Sequence, residues 1–347
     1  MAPVAETAAE NVLEVRDLHT YIGTEDGVVR AVDGISFSLR QGEILGLVGE
    51  SGSGKSVACR TLAGLMPSPP AQSLGDVRYS GFPGRNLLEL RPAEQQRLRG
   101  GHISMIFQDP MSALNPVMRI GDQIEESVAA HSQISGRERR RRVIELLERV
   151  GIPAPERRLR DYPHQFSGGM RQRVLIASAI ASHPRILLAD EPTTALDVII
   201  QDQILSLLLE LQRDFGMSMI LVSHDLGVIA EMCDRIAVMY AGQIVELTDA
   251  RTLLTEPRHP YTISLLRSLP DAERKSRYLL SIPGTPPRLV DVKPGCRFAE
   301  RCPLSTIECR TWETELLAVT DQHLARCRRH DEARRPEAWP RQNYESE

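Results

Sequence analysis

Two stretches of this 347-residue chain carry side chains suited to phosphate chemistry. Gly49-Glu50-Ser51-Gly52-Ser53-Gly54-Lys55-Ser56 has the spacing G-x-x-x-x-G-K-S. Glycines so placed let backbone N–H groups turn inward around an anion, at the positive end of the helix that follows. Lys55 is then expected to neutralise the β- and γ-phosphates of a nucleotide, and the Ser56 hydroxyl to ligate Mg²⁺. The adjacent acids Asp190 and Glu191 end the apolar run Ile186-Leu187-Leu188-Ala189. There an aspartate can hold Mg²⁺ through its water shell, and a glutamate can orient or deprotonate an attacking water. Paired acids at a strand end can also be merely solvated, but a phosphate loop in the same chain gives them a partner to serve.

A third segment, Phe166-Ser167-Gly168-Gly169-Met170-Arg171-Gln172-Arg173, reads as a second anion site. Ser167 caps a helix whose glycine-lined N-terminus can approach a phosphate closely, although a bare Ser-Gly-Gly is equally an ordinary cap. Four of the six cysteines follow the pattern Cys296-x₅-Cys302-x₆-Cys309-x₁₇-Cys327. Four thiolates can staple a segment too small to build its own core. Zinc sites commonly show tighter Cys-x₂₋₄-Cys pairs, and four cysteines also suit a [4Fe–4S] cluster, so iron–sulfur, zinc and free thiols all stay open. Cys59 and Cys233 read as small buried hydrophobes.

The elements that must position these groups follow from patterning. Leu13 to Leu18 and Val28 to Leu39 read as strands, the second broken by a turn at Asp33-Gly34. Ile44 to Val48 is a buried strand running into the glycine loop, with a helix from Val57 to Leu65 behind it. Apolar runs at Ile103 to Phe107, Ile186 to Ala189 and Met219 to Val222, interleaved with helical segments such as Asp197 to Leu211, predict a mostly parallel sheet with crossover helices. Pro110 to Tyr162 reads as a helical insertion, and its basic run Arg137 to Arg142 as a solvated helix face. A hairpin is expected at Ala241-Gly242. Rising proline density from Pro257 then marks a second, loop-rich unit. Length also favours two units. A formal net charge of −4 gives no electrostatic reason to expect nucleic acid. No stretch reaches the roughly 18 apolar residues of a spanning helix, and the Ala/Glu-rich start does not look like a signal peptide, so a membrane role requires another chain to cross. Six cysteines without an export signal point to a reducing cytoplasm.

The Phe166 to Arg173 segment resembles the signature motif of ABC ATPases, and the resemblance extends over about Leu13 to Leu254. It implies an α/β P-loop fold with an N-terminal antiparallel β subdomain and a helical subdomain over about 110–175, a nucleotide-binding domain over 11–264, and a cysteine-containing extension over 265–347. It implies that Gln108 is the glutamine that senses Mg²⁺ and contacts membrane subunits. Ala195-Leu196-Asp197 matches the loop crossing a dimer interface, His224 the histidine that contacts the γ-phosphate and positions water, and Tyr21 the aromatic that stacks on adenine. Ser167, Gly168 and Gly169 then meet ATP bound on a partner subunit.

Gln108-Asp109-Pro110-Met111-Ser112-Ala113-Leu114-Asn115-Pro116, Met170, the terminal cysteines and His259-Pro260-Tyr261-Thr262 resemble the peptide and nickel importer branch. In that branch methionine at position 170 is typical of the first of two unlike ATPases, which implies a heterodimer, two transmembrane permease subunits and an extracytoplasmic binding protein, at the cytoplasmic face of the inner membrane. Relatives with this cysteine pattern imply a [4Fe–4S] cluster, zinc being the alternative. Peptide is the implied substrate, with nickel, opines, glutathione or oligosaccharides as alternatives. A soluble ABC ATPase that remodels nucleic acid or ribosomes is the rival class. It is disfavoured by a single set of motifs and by a Gln108 to Ser167 interval too short for a coiled coil. A non-hydrolysing ATP-gated scaffold is disfavoured by the presence of both Glu191 and His224.

Overall fold

The apolar runs become the centre of a sheet. The computed structural model describes residues 10–194, 196–268, 282–312, 314–335 and 339; Ala195, Leu269, Pro270 and the Ala/Glu-rich start lie outside them. The chain opens with β1 (Asn11–Thr24), β2 (Gly27–Arg40), β3 (Ile44–Val48), α1 (Lys55–Leu62) and β4 (Ala71–Tyr79). Next come α2 (Pro92–Leu98), β5 (Ile103–Ile106), α3 (Pro110–Ala113), α4 (Ile120–His131), α5 (Gly136–Arg149), α6 (Pro155–Arg158) and α7 (Gly168–Ile180). The chain continues through β6 (Ile186–Asp190), α8 (Val198–Phe215), β7 (Ser218–Ser223), α9 (Leu226–Met232), β8 (Arg235–Tyr240), β9 (Gln243–Asp249), α10 (Ala250–Thr255) and α11 (Pro260–Arg267). Later come β10 (Leu317–Thr320), β11 (His323–Ala325) and α12 (His330–Ala333).

Strands β3, β5, β6, β7 and β8 are parallel neighbours in one sheet of order β10-β11-β9-β8-β3-β7-β6-β5. Their apolar runs are continuous because both faces are covered, as parallel sheets require. Alternation divides each strand between two cores. Ile44, Val48, Leu187, Ala189 and Leu221 join the core with α7 and α8, while Leu45, Leu47, Leu188, Ile220 and Val222 join the core with α1 and the β1/β2 pair. Because β3, β5, β6 and β7 run the same way, their C-terminal ends gather the phosphate loop, Gln108, Asp190 and His224 along one edge of the sheet.

The N-terminal antiparallel sheet has the order β2-β1-β4. Asp33-Gly34 is not a turn: β2 runs through it, and pairing steps from Leu18↔Ile35 to His19↔Asp33, leaving Gly34 as a bulge at φ 73°. A Gly at positive φ looks the same in sequence whether it ends a strand or kinks one. The hairpin at Ala241-Gly242 forms as expected, with φ values of 48° and 83° joining β8 to β9. The basic run lies on α5, where Arg139 pairs with Glu125 and Arg141 with Glu145 along a helix capped by Ser135. Among the described residues no helix is long and apolar enough to cross a membrane.

The proline-rich stretch does not end the sheet. Past it, β11 pairs antiparallel with β9 (Leu324↔Leu247, Ala325↔Glu246) and extends the same sheet. The buried Glu246 carboxylate accepts from the N–H groups of Arg258 and His259 and meets His323 Nε2 at 2.7 Å, tying β9, the start of α11 and β11 together.

Candidate functional site

The loop between β3 and α1 is shaped by glycines that no other residue could replace without movement. A Cβ on Gly49 would lie 2.0 Å from the Met239 carbonyl oxygen, and one on Gly54, at φ 102°, would lie 2.1 Å from that of Ala31. Gly54 also opens α1, so the helix N-terminus points into the loop. Gly52 holds φ 77° in open space, and Ser51 is exposed beside it. Lys55 is buried, and its Nζ donates to the carbonyls of Gly49 at 2.6 Å and Glu50 at 2.9 Å, with Ser53 Oγ at 3.4 Å. Burial holds its pKa below the ordinary lysine value against the opposing pull of Glu191 and Asp190. A phosphate arriving here would relieve that cation of its cost.

Ser56 Oγ donates to Asp190 Oδ1 at 2.8 Å. Asp190 is 1% exposed, burial raises its pKa, and its Oδ2 is buried with no hydrogen-bond partner among the described residues. A buried carboxylate oxygen left without a partner is costly unless something ligates it, and with the adjacent hydroxyl it forms the hard-oxygen donor set that Mg²⁺ takes. The residues present therefore fit Mg²⁺ on the phosphates of a nucleotide.

Beside them Glu191 has a backbone φ of 45°, fixed by its N–H bond to the Val222 carbonyl at 3.1 Å. Such a conformation in a residue other than glycine marks a position held by its surroundings. Gln108 Nε2 and Thr194 Oγ1 donate to Glu191 Oε2 at 2.9 and 2.8 Å, and His224 Nδ1 lies 3.5 Å from the same oxygen. Among the described residues none of these contacts uses Oε1. The structure thus brings Gln108, Asp190, Glu191, His224 and the phosphate loop together. Thr194 was not singled out from the sequence, where one threonine among Thr193-Thr194 has no distinguishing spacing.

The Ser167 segment is placed otherwise. Ser167 caps α7 by accepting from Met170 N–H at 3.4 Å, and Ser167 and Gly168 are exposed. Among the described residues it shares no hydrogen bond with the phosphate loop. Asp197, at the N-cap of α8, is exposed and is followed by Val198 and Ile199 at 83% and 73% exposure, an apolar pair facing outward. Tyr21 is half-buried: its hydroxyl donates to Asp33 Oδ1 at 2.6 Å, Arg30 lies 5.7 Å over its ring, and burial with the Asp33 bond pushes its pKa up to about 12.

Cys59 and Cys233 are buried, as their neighbours in the sequence suggested. Cys296, Cys302, Cys309 and Cys327 line one cavity of about 30 Å³, and burial pushes the Cys302 and Cys327 thiols up to about 12. Among the described residues no group of three or more His, Cys, Asp or Glu side chains is arranged to hold a metal ion. The four thiols share a cavity without converging on one ligand point.

Residues 32–194 match the ABC transporter family and residues 245–309 the oligopeptide/dipeptide transporter C-terminal region. The chain is 47% identical to a probable peptide ABC transporter ATP-binding protein, y4tR, of Sinorhizobium fredii, covering 93% of this chain and 96% of that one. It is 46% identical to the dipeptide transport ATP-binding protein DppD of Escherichia coli, covering 94% and 99%. Among solved structures, the ATP-binding cassette MJ0796, a dimer in a post-hydrolysis state bound to ADP and Pi, superposes with a TM-score of 0.61 at 28% identity, over 69% of this chain and 99% of the other.

Proposed function

The chain belongs to the ABC transporter ATP-binding proteins, in the branch that carries the oligopeptide/dipeptide transporter C-terminal region, and from that premise we propose how its site energises import of di- and oligopeptides. As a member of that family it is an ATPase. The observation that carries the assignment of roles is the cluster at the strand ends: Ser56 bonded to Asp190, Asp190 Oδ2 buried with no partner among the described residues, and Glu191 held through Oε2. Lys55 and the loop N–H groups bind the phosphates, and Ser56, Asp190 and Gln108 hold Mg²⁺, which supplies charge neutralisation on the transferring phosphoryl group. Glu191 takes the proton of the attacking water, and His224 orients that water against the γ-phosphate.

The exposed Ser167 and Gly168 at the helix start and the outward-facing Val198-Ile199 pair beside Asp197 support a dimer in which each chain's signature helix closes on the other's ATP. ATP drives closure to the extent that contacts across the interface make it bind the closed state more tightly than the open one. Met111 and Val117, exposed at 61% and 79% just after Gln108, support docking of two permease subunits there. On this reading the chain sits peripherally at the cytoplasmic face of the inner membrane, pairs with a second, unlike ATPase, receives substrate through an extracytoplasmic binding protein, and uses no nucleic acid. Its working division is a nucleotide-binding body over 11–264 and an extension over 265–347. For Cys296, Cys302, Cys309 and Cys327 we infer one shared ligand, a [4Fe–4S] cluster ahead of zinc, supported by their lining one cavity.

Three measurements test these assignments. Uptake of labelled di- and oligopeptides, with Ni²⁺ alongside, should be lost on deleting the chain and restored by it. Affinity purification from the restored cells should bring a second, unlike ATPase. Peptide uptake indifferent to the deletion removes the peptide claim, and a purified complex containing only this ATPase removes the heterodimer. Separately, iron, sulfide and zinc analysis of the chain purified without air should find about four iron atoms per chain. A single zinc supports the alternative metal, and bare thiols remove both.

A further inference from the structure

Glu50 places an anion in the segment that must receive one. It occupies a position that the G-x-x-x-x-G-K-S spacing leaves open, and the sequence does not say what balances it. The structure does. Arg301, from the extension, forms a two-pronged ion pair with it, Nη1 to Oε2 at 2.7 Å and Nη2 to Oε1 at 2.9 Å, across 251 residues of sequence. Fork-to-carboxylate pairing of this kind fixes direction as well as charge. The arginine is itself immobilised. Its Nε donates to the Pro283 carbonyl at 2.9 Å, its Nη1 also reaches the Tyr240 hydroxyl at 3.2 Å, and its guanidinium lies 5.7 and 5.9 Å over the rings of Tyr240 and Phe298. Its side chain is 5% exposed.

Glu50 is gripped at its backbone too, where its N–H donates to the Tyr261 hydroxyl at 2.8 Å. The ring of Tyr261 lies against those of Tyr240 and Phe298, with centroids 4.5 and 5.4 Å away. The backbone carbonyl of Glu50 accepts from Lys55 Nζ. A short chain of contacts thus runs from the loop between Cys296 and Cys302, through Arg301 and Glu50, to the lysine that binds phosphate.

We propose that Arg301 is a positioning residue for ATP binding: it neutralises and fixes Glu50 so that the phosphate loop is ready for an anionic ligand. The inference rests on the phosphate loop binding ATP. Without the arginine, an unpaired carboxylate stands beside the incoming phosphates and the loop samples conformations that do not bind, and each lowers apparent affinity.

The test is nucleotide affinity of the full chain, read with a fluorescent ATP analogue, with thermal unfolding followed in parallel. Saturable binding by the wild type establishes the ATP reading separately; without it, that reading fails first. Arg301→Met should raise Kd by about tenfold, the scale set by a loop left about 10% in its binding conformation. Adding Glu50→Gln should bring Kd back to within about threefold of wild type, because without the carboxylate no unpaired charge either repels phosphate or draws the loop out of its binding conformation. Unchanged Kd in Arg301→Met, or a double variant as weak as the single, overturns the proposal. Should Arg301→Met fail to fold, Arg301→Lys decides: keeping the charge but losing the fork, it should raise Kd by about threefold, and a wild-type Kd overturns the positioning role. In the assembled importer the defect should appear in the KM for ATP with kcat preserved. A fall in kcat at unchanged KM also overturns it.

Discussion

Glu191→Gln in the assembled transporter is expected to hydrolyse ATP about 10²- to 10⁴-fold more slowly while binding it as wild type does. The substitution keeps the shape of the side chain, and an amide oxygen can still accept from Gln108 and Thr194, which bond to Oε2 at 2.9 and 2.8 Å. What it removes is the capacity of the carboxylate to take a proton. An enzyme acting through a base loses turnover and leaves ground-state binding intact. Phosphate release and binding of an ATP analogue, measured on the same preparation, separate the two quantities. Turnover at the wild-type rate would remove Glu191 from the role of base, and lost binding with lost turnover would make it a ligand-holding residue instead.

Lys55→Ala should differ in kind, because it strikes binding and chemistry together. Its ammonium is buried at 4% exposure against two carbonyls, and burial already lowers its pKa. Low exposure strengthens a charge's interaction with phosphate, since little water screens it. Removing one pre-organised cationic donor from such a site costs on the order of 10²- to 10³-fold in kcat/KM. The nucleotide-free fold should lose much less. A depressed lysine pKa means that the folded chain disfavours the charged form, so the cation lowers stability at neutral pH, and its loss relieves a cost even as two bonds to Gly49 and Glu50 disappear. Calorimetric titration with an ATP analogue beside thermal unfolding checks both halves. Wild-type affinity in the variant would place phosphate elsewhere, whereas an unfolded variant would make Lys55 a structural residue of the loop first.

The two expectations differ because the two residues sit differently. Glu191 is held on a strained backbone beside β6, with three side chains at one of its oxygens; Lys55 is folded back onto its own loop. The first arrangement aims a group at something yet to arrive, and the second stores a donor that must be released to its ligand.

Most of the nucleotide site was legible from residue order alone, for a physical reason. A phosphate loop, a strand ending in paired acids and a helix-capping Ser-Gly-Gly are local devices: each depends on backbone conformation over a few residues, and the types that permit those conformations are few. The parallel sheet was likewise visible, because strands buried on both faces need uninterrupted apolar runs, as in Ile44 to Val48 and Ile186 to Ala189. Asp33-Gly34 was misread because a bulge and a turn ask the same of a glycine, and only the pairing partner in β1 distinguishes them.

Pairings across long stretches of sequence were decided by the tertiary structure alone. Position 301 carries no mark of a partner at position 50, and the proline-rich stretch before β11 gives no sign that the chain returns to pair with β9. The cysteine spacing left a shared ligand and free thiols both open, and that the four cysteines line one cavity was decided by how the extension folds. The sequence by itself determined which chemistry the chain can do. Only the folded chain decided which distant side chains hold that chemistry in place, because local propensity acts over a few residues, while an ion pair or an added strand depends on where the whole backbone brings its ends together.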